Sequence, residues 1–250
     1  MVRATDASRA VAQSGGSRQI ARQMSQDIPV LSLKEVVETH LGGKLFHGGS
    51  AIAAMEGKRD RENLLRRFLP AMLVRRLDLG FARSNTVHPD TARTLYAVAR
   101  AVRAAVLFET GTYWGYSTAI LAAAVRDSGV GVVHSFDLYP RAGAHIPDAL
   151  RPWVRLHRGA PATLSMPSIL RKVAPPQFFF QDSVHDYDGV LAELRIAKPA
   201  MAPGAVVLFH DFVLDGVRRA ARDGLPGYRL AQIAGEDPQQ VGIAIAPRPA

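Results

Sequence analysis

From residue 89 onward, short apolar runs alternate with helix-length segments, and no other feature constrains the fold as much. Pro89-Asp90 opens an alanine-rich helix through about Val102, and Ala105-Val106-Leu107-Phe108 follows. Further apolar runs lie at 131–136, 154–156, 178–180 and 205–209, with helical patterns at 116–127, 162–173 and 187–200 between them. Apolar strands separated by helices imply a parallel sheet covered on both faces. The last two runs, 228–233 and 241–245, are joined only by a short polar loop. Parallel neighbours need a long crossover, so this pair must be antiparallel. The expected fold is α/β, a doubly wound, mostly parallel seven-stranded sheet ending in an antiparallel hairpin.

Ahead of that unit the pattern is irregular. Residues 1–27 carry Arg3, Arg9, Arg18 and Arg22 among Ser, Gly and Gln, and read as a disordered tail. Residues 28–88 read as a helical N-terminal extension, with Ser32 as a helix cap and Glu35 at the capping-box position. The pairs Gly42-Gly43 and Gly48-Gly49 interrupt it, and Asn63 to Leu69 has the apolar spacing of a helix face. The extension is expected to cover a substrate pocket or a dimer surface, which makes a homo-oligomer one expectation. Residues 89–250 form the regular α/β unit.

Composition removes several classes of chemistry. The 250-residue chain has no cysteine, which excludes disulfides, thiolate nucleophiles and Cys-rich zinc sites. Its formal charge of +9 resembles a nucleic-acid signal, but much of the excess arginine lies between Lys58 and Arg76, ahead of the regular unit. Nucleic acid is not the expected partner. No apolar run approaches the roughly 20 residues of a membrane span, and the first 24 residues hold no continuous apolar core of a secretory signal. The expectation is a cytoplasmic protein.

The first strand leads into Glu109-Thr110-Gly111-Thr112-Tyr113-Trp114-Gly115-Tyr116-Ser117-Thr118. Glycines at such a turn let the backbone approach a ligand, and the following helix offers free N–H groups. A dinucleotide fingerprint needs a glycine where Tyr113 stands. The pattern present is E-x-G-x-x-x-G. It resembles the first motif of class I S-adenosylmethionine-dependent methyltransferases, and is most similar to the branch of catechol-type, macrocin-type and cephalosporin-cluster O-methyltransferases. The resemblance implies a Rossmann-like methyltransferase fold. It implies that Gly111 and Gly115, with Thr112 and Ser117 beside them, line the methionine part of the cofactor and that Glu109 helps position its ammonium. A carboxylate suits a cofactor with cationic sulfonium and ammonium groups.

Asp137 ends the second strand, 28 residues after Glu109. An acidic side chain there can accept two hydrogen bonds from ribose hydroxyls, so Glu109 and Asp137 are expected to serve one sulfonium nucleoside. The third strand ends in Arg158-Gly159-Ala160; relatives place an Asp where Ala160 stands, and Gly159 remains a cofactor candidate.

The densest cluster is Gln181-Asp182-Ser183-Val184-His185-Asp186-Tyr187-Asp188-Gly189-Val190. It is similar to the family block D-G-D-H-x-Y-E-G-V, departing at Ser183 and Val184. Leu208-Phe209-His210-Asp211 ends the fifth strand and resembles the block that closes on H-D. Asp182, His210 and Asp211 are expected to converge above adjacent strand ends. In catechol-type relatives the corresponding positions bind a divalent ion, so the resemblance implies magnesium or another divalent cation. His210 stands where those enzymes carry Asp, and magnesium prefers oxygen. Asp182 is also a cofactor and catalytic candidate. His185 is the candidate general base, since imidazole titrates near ~6.5, or else a structural histidine at the start of the next helix.

The resemblance covers about residues 85–246 and implies methyl transfer from S-adenosylmethionine to a small-molecule hydroxyl of a sugar, phenol or natural product. Two other readings stand beside it: a metal-assisted hydroxylase or hydrolase on the same fold, and a catalytically silent binding or scaffold protein.

Overall fold

The computed structural model describes residues 28–68 and 87–248. The expected tail 1–27, and the part of the extension from 69 to 86, lie outside the described residues. Strand β1 is Val30–Leu31, followed by a helical turn Leu33–Glu35 that widens into a π-helical turn Val36–His40. Ser32 caps that turn, its hydroxyl oxygen accepting from Glu35 N at 3.1 Å. Helix α1, Gly49–Phe68, completes the described extension.

The α/β unit then runs α2 (Pro89–Val102), β2 (Val106–Thr110), α3 (Tyr116–Ser128), β3 (Val132–Asp137), β4 (Val154–Arg158) and α4 (Ala162–Leu170). It continues with β5 (Phe178–Gln181), α5 (Tyr187–Ala197), β6 (Val206–Phe209), α6 (Asp215–Gly224), β7 (Arg229–Ile233) and β8 (Val241–Ile245). The sheet order is β1-β7-β8-β6-β5-β2-β3-β4. Only β8 runs against its neighbours, β6 and β7. The seven expected strands are present, and β1 adds an eighth, parallel to β7 through Val30↔Gln232 and Leu31↔Ile233. Residues 30 and 31 are therefore extended, a correction to the helical reading of that stretch: Pro29 accepts from Gln232 N and Leu31 from Ala234 N, so the sheet edge outcompetes the helix. The apolar pattern does not mark helix α6, because Val217, Ala220 and Ala221 are its principal buried apolar side chains between three arginines.

Two apolar layers enclose the sheet. Phe178 and Phe180 point into the layer shared with α2 and α3, while Phe179 points into the layer under α4, α5 and α6. This alternation is why three consecutive phenylalanines can all be fully buried. Each contributes roughly 1.5–3 kcal/mol of burial. No helix among the described residues is long and apolar enough to cross a membrane.

One close contact links the hairpin to the strand tip that carries His210. A Cβ built on Gly242 would stand 2.2 Å from the ring of Phe212, and Phe212 N donates to Gln240 O at 3.3 Å. Gly242→Ala is expected to destabilise the fold by about 1–3 kcal/mol through overpacking, measured by urea unfolding; an unchanged midpoint would contradict this packing.

Candidate functional site

Two structures adjoin at the carboxyl ends of the parallel strands: a cavity and a cluster of charged side chains. The cavity has a volume of about 520 Å³ and is walled by Gly111, Asp137, Leu138, Ala162, Ser183 and Glu193 among others. That is within the range of small-molecule and cofactor sites, roughly 300–1,000 Å³. Asp137 stands on its wall with each carboxylate oxygen held by a backbone N–H: Tyr113 N at 2.6 Å and Tyr139 N at 2.7 Å. Gly159 N donates to Asp137 O at 3.0 Å, and open space lies where a Gly159 Cβ would be.

Glu109 does not line this cavity. It is fully buried on the α3 side of β2, where Ser135 Oγ donates to Oε2 at 2.6 Å and Thr118 Oγ1 donates to the same oxygen. Oε1 has no hydrogen-bond partner among the described residues. Burial pushes the carboxyl up to about 7 against the opposing pull of the Ser117, Ser135 and Thr118 hydroxyls. Thr112 shares a hydrogen bond with Ser135, and Gly115 packs against Ile146. Thr112, Gly115 and Ser117 are not on the cavity wall, whereas Gly111 and Asp137 are. Sequence position could place Glu109 and Asp137 on neighbouring strand tips, but could not tell a wall residue from one beneath it.

A second buried acid, Glu193, is not among the candidates the sequence offers. It lies on the cavity wall, with Oε2 accepting from Thr110 Oγ1 at 2.8 Å and Oε1 from Ser183 Oγ at 2.5 Å. Burial raises its pKa. The signal was its position one helical face along α5 from the loop of Asp182, but charged positions on a helix ordinarily face solvent.

Gly111 joins the two structures. It has φ +91°, and a Cβ there would lie 2.0 Å from the carbonyl oxygen of Asp182. Only glycine lets the β2–α3 turn lie on the β5 tip in this way. Asp182 N in turn donates to Thr110 O at 3.0 Å.

Beyond Gly111 the structure brings Asp182, His210 and Asp211 together, and adds His185; one donor atom from each lies within 4.8 Å of the others. His210 Nδ1 is 2.9 Å from Asp211 Oδ2 and 3.1 Å from Asp182 Oδ1. His185 Nε2 is 3.0 Å from Asp211 Oδ2 and 3.5 Å from Asp182 Oδ1. Asp211 has φ +49°, a left-handed conformation uncommon for a side-chain-bearing residue and typical of functional turns. Electrostatics follow from the packing. Hydrogen bonding to Asp182 and Asp211 raises His185 to about 9 despite its burial. Burial would lower His210, but Asp182, Asp211 and Asp237 overcome it and push it up to about 12. Burial likewise opposes the charge on Asp211, yet His185 and His210 hold its carboxyl well below the usual range. An imidazole nitrogen from His210 beside two carboxylates suits a divalent ion of the borderline kind better than magnesium.

The chain matches the sequence model of a methyltransferase domain family over residues 108–212. No curated protein sequence matches it. Among solved structures, it is similar to the O-methyltransferase TomG from Streptomyces achromogenes, in complex with SAM, at TM-score 0.55 and 20% identity, over 76% of this chain and 89% of that one. It is similar to an O-methyltransferase from Bacillus cereus in complex with SAH at TM-score 0.54 and 20% identity, over 77% and 99% of the two chains. Cofactor-bound Rv0187 from MTB aligns at TM-score 0.53 and 21% identity, over 80% and 91%.

Two predictions test the geometry. Gly111→Ala should destabilise the protein and disturb Asp182; loss of thermal stability is the measure, and a wild-type melting point would refute the contact. In chelator-treated protein, His185 should remain protonated until about pH 9 by NMR titration. Because that value is raised above the ordinary ~6.5, the stability it brings is full below about pH 6.5 and lost as pH rises through about 9. His185→Gln should flatten that loss; an imidazole titrating near its ordinary value would contradict the arrangement.

The family match thus covers residues 108–212, and the strand order sets that segment in a mostly parallel, Rossmann-like sheet.

Proposed function

We propose that this chain transfers a methyl group from S-adenosylmethionine to a hydroxyl oxygen of a small-molecule acceptor, with a divalent cation beside the acceptor. The single observation that carries the reading is the adjacency, across Gly111, of a cofactor-sized cavity and a compact set of two carboxylates and two imidazoles.

The residues present fit both groups. Asp137 keeps lone pairs free on both oxygens after its two backbone contacts, enough to receive vicinal ribose hydroxyls. Phe136, Leu138, Ala162 and Val184 give the cavity apolar surface against which a purine can pack, even with Ala160 in place of the usual acid. The cofactor supplies a methyl group already activated on a sulfonium. Glu109 acts on it indirectly, bracing the turn that carries Gly111 from beneath.

Asp182, His210 and Asp211 would hold the cation, whose charge would lower the pKa of an acceptor hydroxyl. His185 is the most exposed member of the cluster, its side chain at 39%, and so faces an incoming acceptor. Its two carboxylate partners keep it protonated at neutral pH, and base action at His185 requires that their charge be taken up elsewhere. Proton removal then falls to His185, while Asp182 and Asp211 fix its ring. The remaining work is alignment and exclusion of water.

Calorimetry with S-adenosylhomocysteine tests the reading, run with chelator, Mg²⁺ or Mn²⁺. Binding is expected in every condition, with Mn²⁺ bound more tightly than Mg²⁺. Asp137→Ala should weaken the nucleoside by about tenfold or more, since a hydrogen bond to a charged group contributes about 1.5–3 kcal/mol. No binding of S-adenosylhomocysteine in any condition would end the methyltransferase reading.

A further inference from the structure

We propose that Asp237, from the loop between β7 and β8, is the positioning residue that turns His210 towards the cation site. The inference rests on the cation reading above and extends it to a residue outside the matched segment.

Asp237 is buried, with 6% exposure. Its Oδ2 accepts from the Thr91 hydroxyl on α2 and lies 3.7 Å from His210 Nε2. Its Oδ1 accepts from Gln239 N at 2.9 Å. His210 Nε2 is itself buried and has no hydrogen-bond partner among the described residues. The imidazole therefore stands between two environments: Nδ1 faces Asp182 and Asp211, and Nε2 faces one buried carboxylate.

That arrangement has a chemical consequence. A histidine that ligates a cation through one nitrogen carries its proton on the other, and a carboxylate facing the protonated nitrogen fixes ring orientation and makes the ligating nitrogen a better donor. Asp237 is on the side where it favours the proton on Nε2, leaving the Nδ1 lone pair to the site. Its own position is fixed by two elements. Glu236 N donates to Asp90 Oδ2 at 2.6 Å, and Thr91 holds the carboxylate, both from the first turn of α2. Phe212 N and Val213 N donate to Gln240 O and Gln239 O at 3.3 and 3.1 Å, stitching the loop to the segment after Asp211. A carboxylate needed only to cap its own turn would be served by Gln239 N and would not need burial against an imidazole.

The test uses the full chain, stripped with chelator and titrated with Co²⁺ by calorimetry and visible absorption. Asp237→Asn is expected to weaken Co²⁺ by about 10–100-fold and to alter its visible bands, and Thr91→Val should shift both in the same direction by less. Asp237→Asn with wild-type Co²⁺ affinity and spectrum, and only a lowered melting point, would overturn the proposal. Wild-type protein carrying Zn²⁺ gives an answer that does not depend on how the variants fold: ¹⁵N shifts should place the His210 proton on Nε2, and a proton on Nδ1 would overturn the proposal. A wild-type chain that binds neither Co²⁺ nor Zn²⁺ would instead remove the cation reading, a result distinct from a bound ion indifferent to Asp237.

Discussion

The approach of Gly111 to the carbonyl of Asp182 is the contact on which the rest of the site depends. It exists because one residue lacks a Cβ, and it brings the turn after β2 against the tip of β5. Through it the cavity beside Asp137 and the cluster around Asp182 share a wall. Two buried acids brace the same tip from opposite faces of the sheet, Glu109 through Thr118 and Ser135, and Glu193 through Thr110 and Ser183. Burying a carboxylate is costly unless it is hydrogen-bonded, and the hydroxyls provide those bonds in both cases. Rigidity at the tip is what this expenditure secures.

The charged cluster follows the same logic at higher stakes. Two carboxylates held so close would repel one another; the two imidazoles offset that repulsion by keeping their protons. A divalent ion would do the same with the protons released, so one geometry accommodates either form of neutralisation. This is the physical reason a histidine at position 210, where an oxygen donor would favour magnesium, leaves the site coherent.

Much of this could be read from the residues in order. The seven apolar runs became strands because each is too short and too uniformly apolar for anything but a doubly covered sheet, and the polar loop between the last two compelled antiparallel pairing. β1 escaped because it is two residues long and gains its order from β7, which no local pattern records. α6 escaped because its apolar face is narrow and arginine-rich. At the site, strand ends announced Asp182, His210 and Asp211, whereas the direction of the Glu109 side chain depends on pleat and packing. Asp237 gave no local signal at all. It belongs to an Asp-Pro turn, and its meaning depends on a residue from another strand.

The reversed course of β8 explains how that residue arrives. β7 runs parallel to β6, so its carboxyl end lies at the same end of the sheet as His210, and the return into β8 must turn there. Had the final strand been parallel, the chain would have left the same end in a long crossover to the opposite one, with no tight turn beside His210. The single antiparallel strand thus adds a fourth side to a basin that parallel strands alone would leave open. Changes of length in that short turn would reach the ring of His210 before they reached any other part of the site.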